Sequence, residues 1–151
     1  MTRPRFVLDT NIISEITKEQ PSIDVIAWLF HHEENLYLTA ITIGELLEGV
    51  YRLPLGKRRE NLLLMVERII SAYAKRVFAY DGKAAQIYAR MQDETARGGR
   101  ALAVEDGMIA AICVAENATL ATRNIKDFSH LGLELVNPFE EETPAIVRIG
   151  L

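Results

Sequence analysis

Residues 5–16 read RFVLDTNIISEI, and this stretch decides the predicted fold. Arg5–Leu8 is a short run of strand-forming, mainly apolar residues that ends at Asp9. Thr10 and Asn11 follow, after which isoleucines recur at helical spacing. The stretch therefore predicts a strand, a turn and a short helix, with an aspartate at the carboxyl end of the strand.

Working outward, the same alternation of short apolar runs and amphipathic segments continues along the chain. Four further strands are predicted at residues 36–41, 77–80, 119–122 and 133–136. The predicted helices between them include residues 42–53, 57–76, 82–96 and 104–117. Short strands separated by helices are typical of an α/β protein with a mostly parallel sheet. One domain is expected over residues 1–139, followed by an acidic tail at 140–151.

The composition excludes several classes of function. Lys and Arg number 17 against 21 Asp and Glu, which leaves a net charge of −4. No global positive field is available to hold DNA or an anionic membrane, so a nucleic acid would need a local basic patch or a divalent cation. Cys113 is the only cysteine in the sequence, which excludes an intrachain disulfide, and no apolar run is long enough to span a membrane. These features favour a cytoplasmic protein.

Acidic residues follow several of the predicted strands. Asp9 ends the first strand, Glu45 lies just after the second, and Asp106 opens the helix before the fourth. In parallel α/β sheets, ligands bind at the carboxyl ends of the strands, so these side chains are expected to approach one another there. Carboxylates packed together repel unless a cation lies between them, and oxygen ligands suit Mg²⁺ or Mn²⁺.

Each of these residues also has a purely structural interpretation. Thr42 to Glu45 fits a capping box, Asp9 is a good helix-capping residue, and Asn124 and Asp127 are typical turn formers. Asp106 is harder to explain in this way. It opens a helix that is apolar on all sides, and charged side chains are rarely buried unless they are paired or bind a metal.

Four segments taken together resemble a known family. They read FVLDTNIISE at 6–15, LTAITIGELLEG at 38–49, EDGMIAA at 105–111 and ATRNIKDF at 121–128. In this order and spacing they resemble the PIN domain of VapC/FitB-like ribonucleases, the toxins of bacterial toxin–antitoxin operons. The resemblance extends from Phe6 to Phe139, and four motifs in register make it specific.

The resemblance implies an α/β/α sandwich that cleaves single-stranded RNA with Mg²⁺ or Mn²⁺. It also implies a homodimer and an antitoxin that blocks the site, with operator DNA reached only through the antitoxin. The three acidic ligands of the family match Asp9, Glu45 and Asp106. Asn124 stands where some members have a fourth aspartate, which is a departure from the pattern, and the nearby Asp127 is either a substitute for it or a structural residue. Polar supporting positions match Thr10, Asn11, Ser14 and Thr122.

Two other functions remain open from the sequence. An α/β phosphatase would use Asp9 as a covalent nucleophile, but such enzymes usually carry a second aspartate two residues later, where this chain has Asn11. A non-catalytic PIN-like module that binds RNA or protein is the second alternative. For RNA contacts, the candidates are Arg123, Lys126 and the basic clusters at residues 57–59 and 97–100.

Overall fold

The central sheet is built from short parallel strands. In the computed structural model, which describes residues 3–141, the strands are β1 (Phe6–Leu8), β2 (Leu36–Thr39), β3 (Val77–Phe78), β4 (Thr119–Ala121) and β5 (Leu135–Val136). They lie in the order β3-β2-β1-β4-β5, and every neighbouring pair is parallel. The predicted parallel sheet is confirmed, while residues 142–151 of the predicted tail lie outside the described residues.

Helices cover both faces of this sheet. They are α1 (Thr10–Ile16), α2 (Ile23–His31), α3 (Ala40–Tyr51), α4 (Lys57–Ala72), α5 (Gly82–Arg97), α6 (Val104–Ala115) and α7 (Ile125–Phe128). Successive strand residues point to opposite faces, so Leu8 packs into one core with residues of α1 to α4, and Val7 into a second core with residues of α5 to α7. This is the predicted α/β/α sandwich. Within residues 3–141, no helix is both long and apolar enough to cross a membrane.

The capping box predicted at Thr42 is wrong. Helix α3 begins at Ala40, and Thr39 is its N-cap, with Oγ1 accepting a hydrogen bond from the backbone N–H of Thr42 at 3.1 Å. The second strand therefore ends at Thr39, two residues earlier than predicted. Because Thr39 already occupies the capping position, Glu45 lies a turn further into the helix and its carboxylate is not used as a cap.

The segment after β4 also differs from the prediction. Asn124 immediately precedes the short helix α7, and Asp127 lies within that helix rather than in a plain turn. The helix is held down by Phe128, whose side chain is fully buried in the core shared with α5 and α6. The helix has only four residues, and only Phe128 among them is buried, so the sequence shows no helical periodicity here.

Candidate active site

The three acidic residues that were predicted to converge line one cleft. Asp9, Glu45 and Asp106 border an open cavity of about 420 Å³ at the carboxyl ends of β1 and β2. The same cavity is also lined by Thr10, Asn11, Ser14 and Asn124. The sequence could not show that α6 starts at this edge of the sheet, and the structure shows that it does.

Asp9 is held rigidly at the floor of the cleft. Its side chain is 5% exposed and caps α1 by accepting the N–H of Thr10 on Oδ1 at 2.8 Å. Its Oδ2 accepts the Thr122 hydroxyl at 2.8 Å and the Asn11 amide at 3.2 Å. Burial raises the pKa of Asp9 above its ordinary value, and these three hydrogen bonds oppose that rise. The predicted capping role is therefore real, and it also aims the carboxylate.

Thr122 connects the ends of β1 and β4. Its buried hydroxyl donates to Asp9 and accepts hydrogen bonds from the Asn11 amide at 3.2 Å and the Asn124 backbone N–H at 3.0 Å. The Asn11 carbonyl oxygen in turn accepts the backbone N–H of Arg123 at 3.2 Å. Fully bonded networks of this kind fix the orientation of the groups they surround. Asn11 and Thr122 both donate hydrogen bonds to Asp9, and their supporting role in the site stays a prediction.

Glu45 approaches the cleft from α3. Its Oε1 accepts the Thr10 hydroxyl at 2.8 Å, and the side chain is partly buried. Burial raises the pKa of Glu45, with further contributions from the negative charges of Asp9, Glu105 and Glu48, against the lowering effect of the Thr10 hydrogen bond. Glu45 is thus a carboxylate whose proton affinity is increased and whose second oxygen faces no described donor.

Asp106 enters from the first turn of α6. Burial and then the charges of Asp9 and Glu45 raise the pKa of Asp106 from 3.8 to about 6, with smaller contributions from Asp127 and Glu105. Among residues 3–141 no hydrogen bond to its carboxylate is formed. The next residue, Gly107, allows the close approach of α6 to α5, since a Cβ there would lie 2.8 Å from the Tyr88 ring. The charge of Asp106 is therefore uncompensated by described protein groups.

The donor set in this cleft fits a hard divalent cation. Asp9, Glu45, Asp106 and the side-chain carbonyl of Asn124 offer oxygen ligands. Burial, and after it the charges of Asp9 and Glu45, raises the pKa of Asp106, so a cation placed here would relieve the crowding of negative charge. Over the described ranges, the His, Cys, Asp and Glu side chains do not stand as a ready-made group of three or more around a metal position. The fit therefore rests on the chemistry and charge of the residues rather than on a preformed cage.

The remaining predicted residues are divided between two cavities. Asn124 lines the cleft with the three acids, whereas Asp127 lines an adjoining cavity together with Asp106. Ser14 borders the first cleft without a side-chain hydrogen bond to any carboxylate in the part of the chain that is described. The placement favours Asn124 over Asp127 as the fourth group facing the acids.

Sequence reasoning missed an ion pair in the same cleft. Glu15 is buried, and its two carboxylate oxygens accept the Lys18 ammonium at 2.8 Å and the Ser22 backbone N–H at 2.9 Å. The Lys18 hydrogen bond is the main cause that lowers the pKa of Glu15. The i,i+3 spacing of Glu15 and Lys18 was visible in the sequence, but nothing local indicated that both line the cleft.

Asp106→Asn is expected to stabilise the metal-free protein at neutral pH. The folded wild type binds the Asp106 proton more tightly than the unfolded chain does, so its stability falls as pH rises from about 4 through 6. Removing this half-exposed charge should gain about 1 kcal/mol after solvent screening, which corresponds to a Tm about 2–4 °C higher at pH 7. Thermal melts in EDTA check this, with the exposed Glu67→Gln as control; an equal gain at pH 4 would contradict it.

The sequence is similar to a known protein family and to individual known proteins. The family model for the PIN domain matches residues 6–133. The chain is 40% identical over 136 residues to VapC ribonuclease Y4jK of Sinorhizobium fredii, covering 89% of this chain and 97% of that protein. It is 36% identical to Toxin FitB of Neisseria gonorrhoeae, covering 89% and 99% of the two chains.

A solved structure has the same fold. The structure of FitAB bound to an IR36 DNA fragment superposes with a TM-score of 0.84 at 36% sequence identity, covering 91% of this chain and 97% of that one. The similarity therefore extends over nearly the whole of both chains, including the elements that carry Asp9, Glu45 and Asp106.

Proposed function

Because this chain belongs to the PIN-domain family and, within it, to the VapC and FitB toxins, we propose that it is a metal-dependent endoribonuclease that cleaves single-stranded RNA as a toxin. The observation that carries the proposal is the meeting of Asp9, Glu45 and Asp106 in one cleft. A relative named as a ribonuclease supports RNA as substrate, and one named as a toxin supports the role.

Asp9, Asp106 and Glu45 would hold the metal ion, with Asn124 beside them. When bound, Mg²⁺ or Mn²⁺ neutralises charge on the scissile phosphate and lowers the pKa of a water molecule. Asp9 contributes an oxygen whose direction is set by Thr10 and Thr122, so little reorganisation is needed when substrate arrives. Asp106 would contribute a negative charge to the metal site, because no described cationic side chain pairs with its carboxylate.

Glu45 is suited to receive a proton from the attacking water. The Thr10 hydroxyl occupies Oε1, which leaves Oε2 to accept that proton. Burial raises the pKa of Glu45 above its ordinary value, which increases its affinity for that proton. Thr10 therefore serves two groups, with its N–H orienting Asp9 and its hydroxyl orienting Glu45.

An antitoxin protein is the proposed partner. The similar FitAB structure contains DNA, and a similar relative is named as a toxin. We infer that this chain likewise acts with a second protein that blocks the cleft, and that operator DNA is reached through that protein. The net charge of −4 agrees with an indirect role, since this chain has no overall positive field for DNA. The homodimer stays a prediction.

The proposed activity is tested by metal removal. We expect the purified protein to cut a labelled single-stranded RNA with Mn²⁺ or Mg²⁺, to leave its duplex uncut, and to lose the activity in EDTA until metal is restored. Cleavage that persists in EDTA would contradict metal dependence. Binding of RNA without cleavage under any metal would favour the non-catalytic module, and hydrolysis of a small phosphomonoester through an aspartyl-phosphate would favour the phosphatase.

A further inference from the structure

The acidic cleft also has a basic side. Lys18 and Arg123 line the same cavity as the three carboxylates. The Lys18 ammonium donates one of its three hydrogen bonds to Glu15. The Glu15 carboxylate also accepts a hydrogen bond from the Ser22 backbone N–H. The Lys18 side chain is 58% exposed, so its remaining donors face solvent while its position is held.

Arg123 is held in a comparable way. Its backbone N–H is bonded to Asn11, and its guanidinium lies over the Phe139 ring at 4.3 Å from the ring centroid. The guanidinium makes no hydrogen bond to any residue between 3 and 141, and the residue is exposed. Lys18 and Arg123, here called the first basic flank, thus offer positioned cations with unused donors.

A second pair of cations lies beyond Asp106. An adjoining cavity of about 550 Å³ is lined by Asp106 together with Arg100 and Lys126. Both basic residues are exposed, and neither forms an ion pair within the described chain. Asp127 borders this cavity too, so the local charge is mixed. Arg100 and Lys126 are here called the second basic flank.

The two cavities share Asp106, and each has a basic flank. An RNA backbone entering the acidic cleft is repelled by the carboxylates, and a protein of net charge −4 has no general attraction to compensate. In the absence of a metal ion, local Lys and Arg contacts to phosphate must then supply the binding. Because Asp106 borders both cavities, basic side chains that can contact phosphate lie on both sides of it.

Building on the proposed function, we propose that a single RNA strand crosses Asp106, with one backbone phosphate bound by Lys18 and Arg123 and another bound by Arg100 and Lys126. The scissile phosphate lies between these two contacts. The flanks hold the strand through its backbone, so they contribute affinity and register rather than base selection. The basic cluster at residues 57–59 lines neither cavity and takes no part.

The experiment measures RNA binding apart from cleavage. Fluorescence anisotropy follows a labelled 12-nucleotide single-stranded RNA in EDTA, from 20 to 200 mM KCl, and a gel verifies that the RNA stays intact. The variants are Lys18→Gln/Arg123→Gln and Arg100→Gln/Lys126→Gln. The control is Lys75→Gln/Arg90→Gln, which removes the same charge at exposed residues outside both cavities.

Each flank variant loses the contact to one phosphate, so it is expected to weaken binding about tenfold at 50 mM KCl and to make the slope of log affinity against log salt shallower by about 0.7. The control should change affinity about twofold or less. If only one flank lowers the slope, or the control lowers it equally, the proposed path is overturned. It is also overturned if the wild type binds no RNA at 20 mM KCl.

Folding and catalysis are checked separately. Melting curves verify that each variant is folded, and the single variant Lys18→Gln replaces the first pair if loss of the Arg123–Phe139 contact unfolds it. Cleavage is measured with Mn²⁺ on the same preparations. If the wild type cleaves RNA but the flank variants bind RNA as tightly as the control does, this inference is overturned and the proposed function is not. A wild type that binds through both flanks but never cleaves overturns the proposed function alone.

Discussion

Asp106→Asn should lower the rate of RNA cleavage at least about 100-fold while leaving the protein folded. The substitution keeps the shape of the side chain and removes a charge that described protein groups leave uncompensated. Loss of a charged ligand severely weakens a divalent metal site, and loss of a supporting residue alone typically costs 10- to 100-fold. Asp106 is the cleanest of the three acids to change, because among the described residues nothing donates a hydrogen bond to its carboxylate.

The matched control is Glu105→Gln, one residue earlier in the same helix. Glu105 is exposed and does not line the acidic cleft, so its loss should change the rate only a few-fold. Asp9→Asn should be as inactive as Asp106→Asn, but its amide would face donors from Thr10, Asn11 or Thr122, so a lower Tm is expected as well. Full activity of both Asp variants under saturating Mn²⁺ would refute the assigned site.

Expression of the wild-type chain without its partner should arrest growth of a bacterial host, and Glu45→Gln should abolish that arrest. The reason is that Gln keeps the Thr10 hydrogen bond at Oε1 but can neither hold charge nor accept a proton from water. Colony counts and growth curves after induction measure the effect, with both proteins brought to equal levels by immunoblot.

Glu48→Gln is the matched control for this experiment. Glu48 lies one turn further along α3, is exposed, and pairs with Arg52 on the surface rather than facing the cleft. It should arrest growth as the wild type does, and co-expression of the small gene adjacent to this one should restore growth. If wild type and Glu45→Gln were equally harmless at matched levels, the toxin role would be refuted.

Features that depend only on residues close together in the sequence could be predicted from it. Apart from α7, the order of strands and helices followed from local periodicity, and Asp81, directly before α5, caps that helix by accepting the Ala84 N–H at 2.9 Å. Local patterns failed where two fitted the same segment. Thr39 and Thr42 both suited the start of α3, and the competition was decided by the end of β2, which pairs with β1 and β3.

The sequence by itself determined the residue types that the chemistry requires, and the four motifs whose order indicates the family. It also determined that Asp9 follows a buried strand. The tertiary structure alone decided that α6 starts at the same edge of the sheet, because the crossing of a helix between strands depends on packing across the whole sheet. It likewise decided the raised pKa of Asp106 and the placing of Lys18 and Arg123 beside the acids, because burial and charge proximity arise from residues distant in sequence.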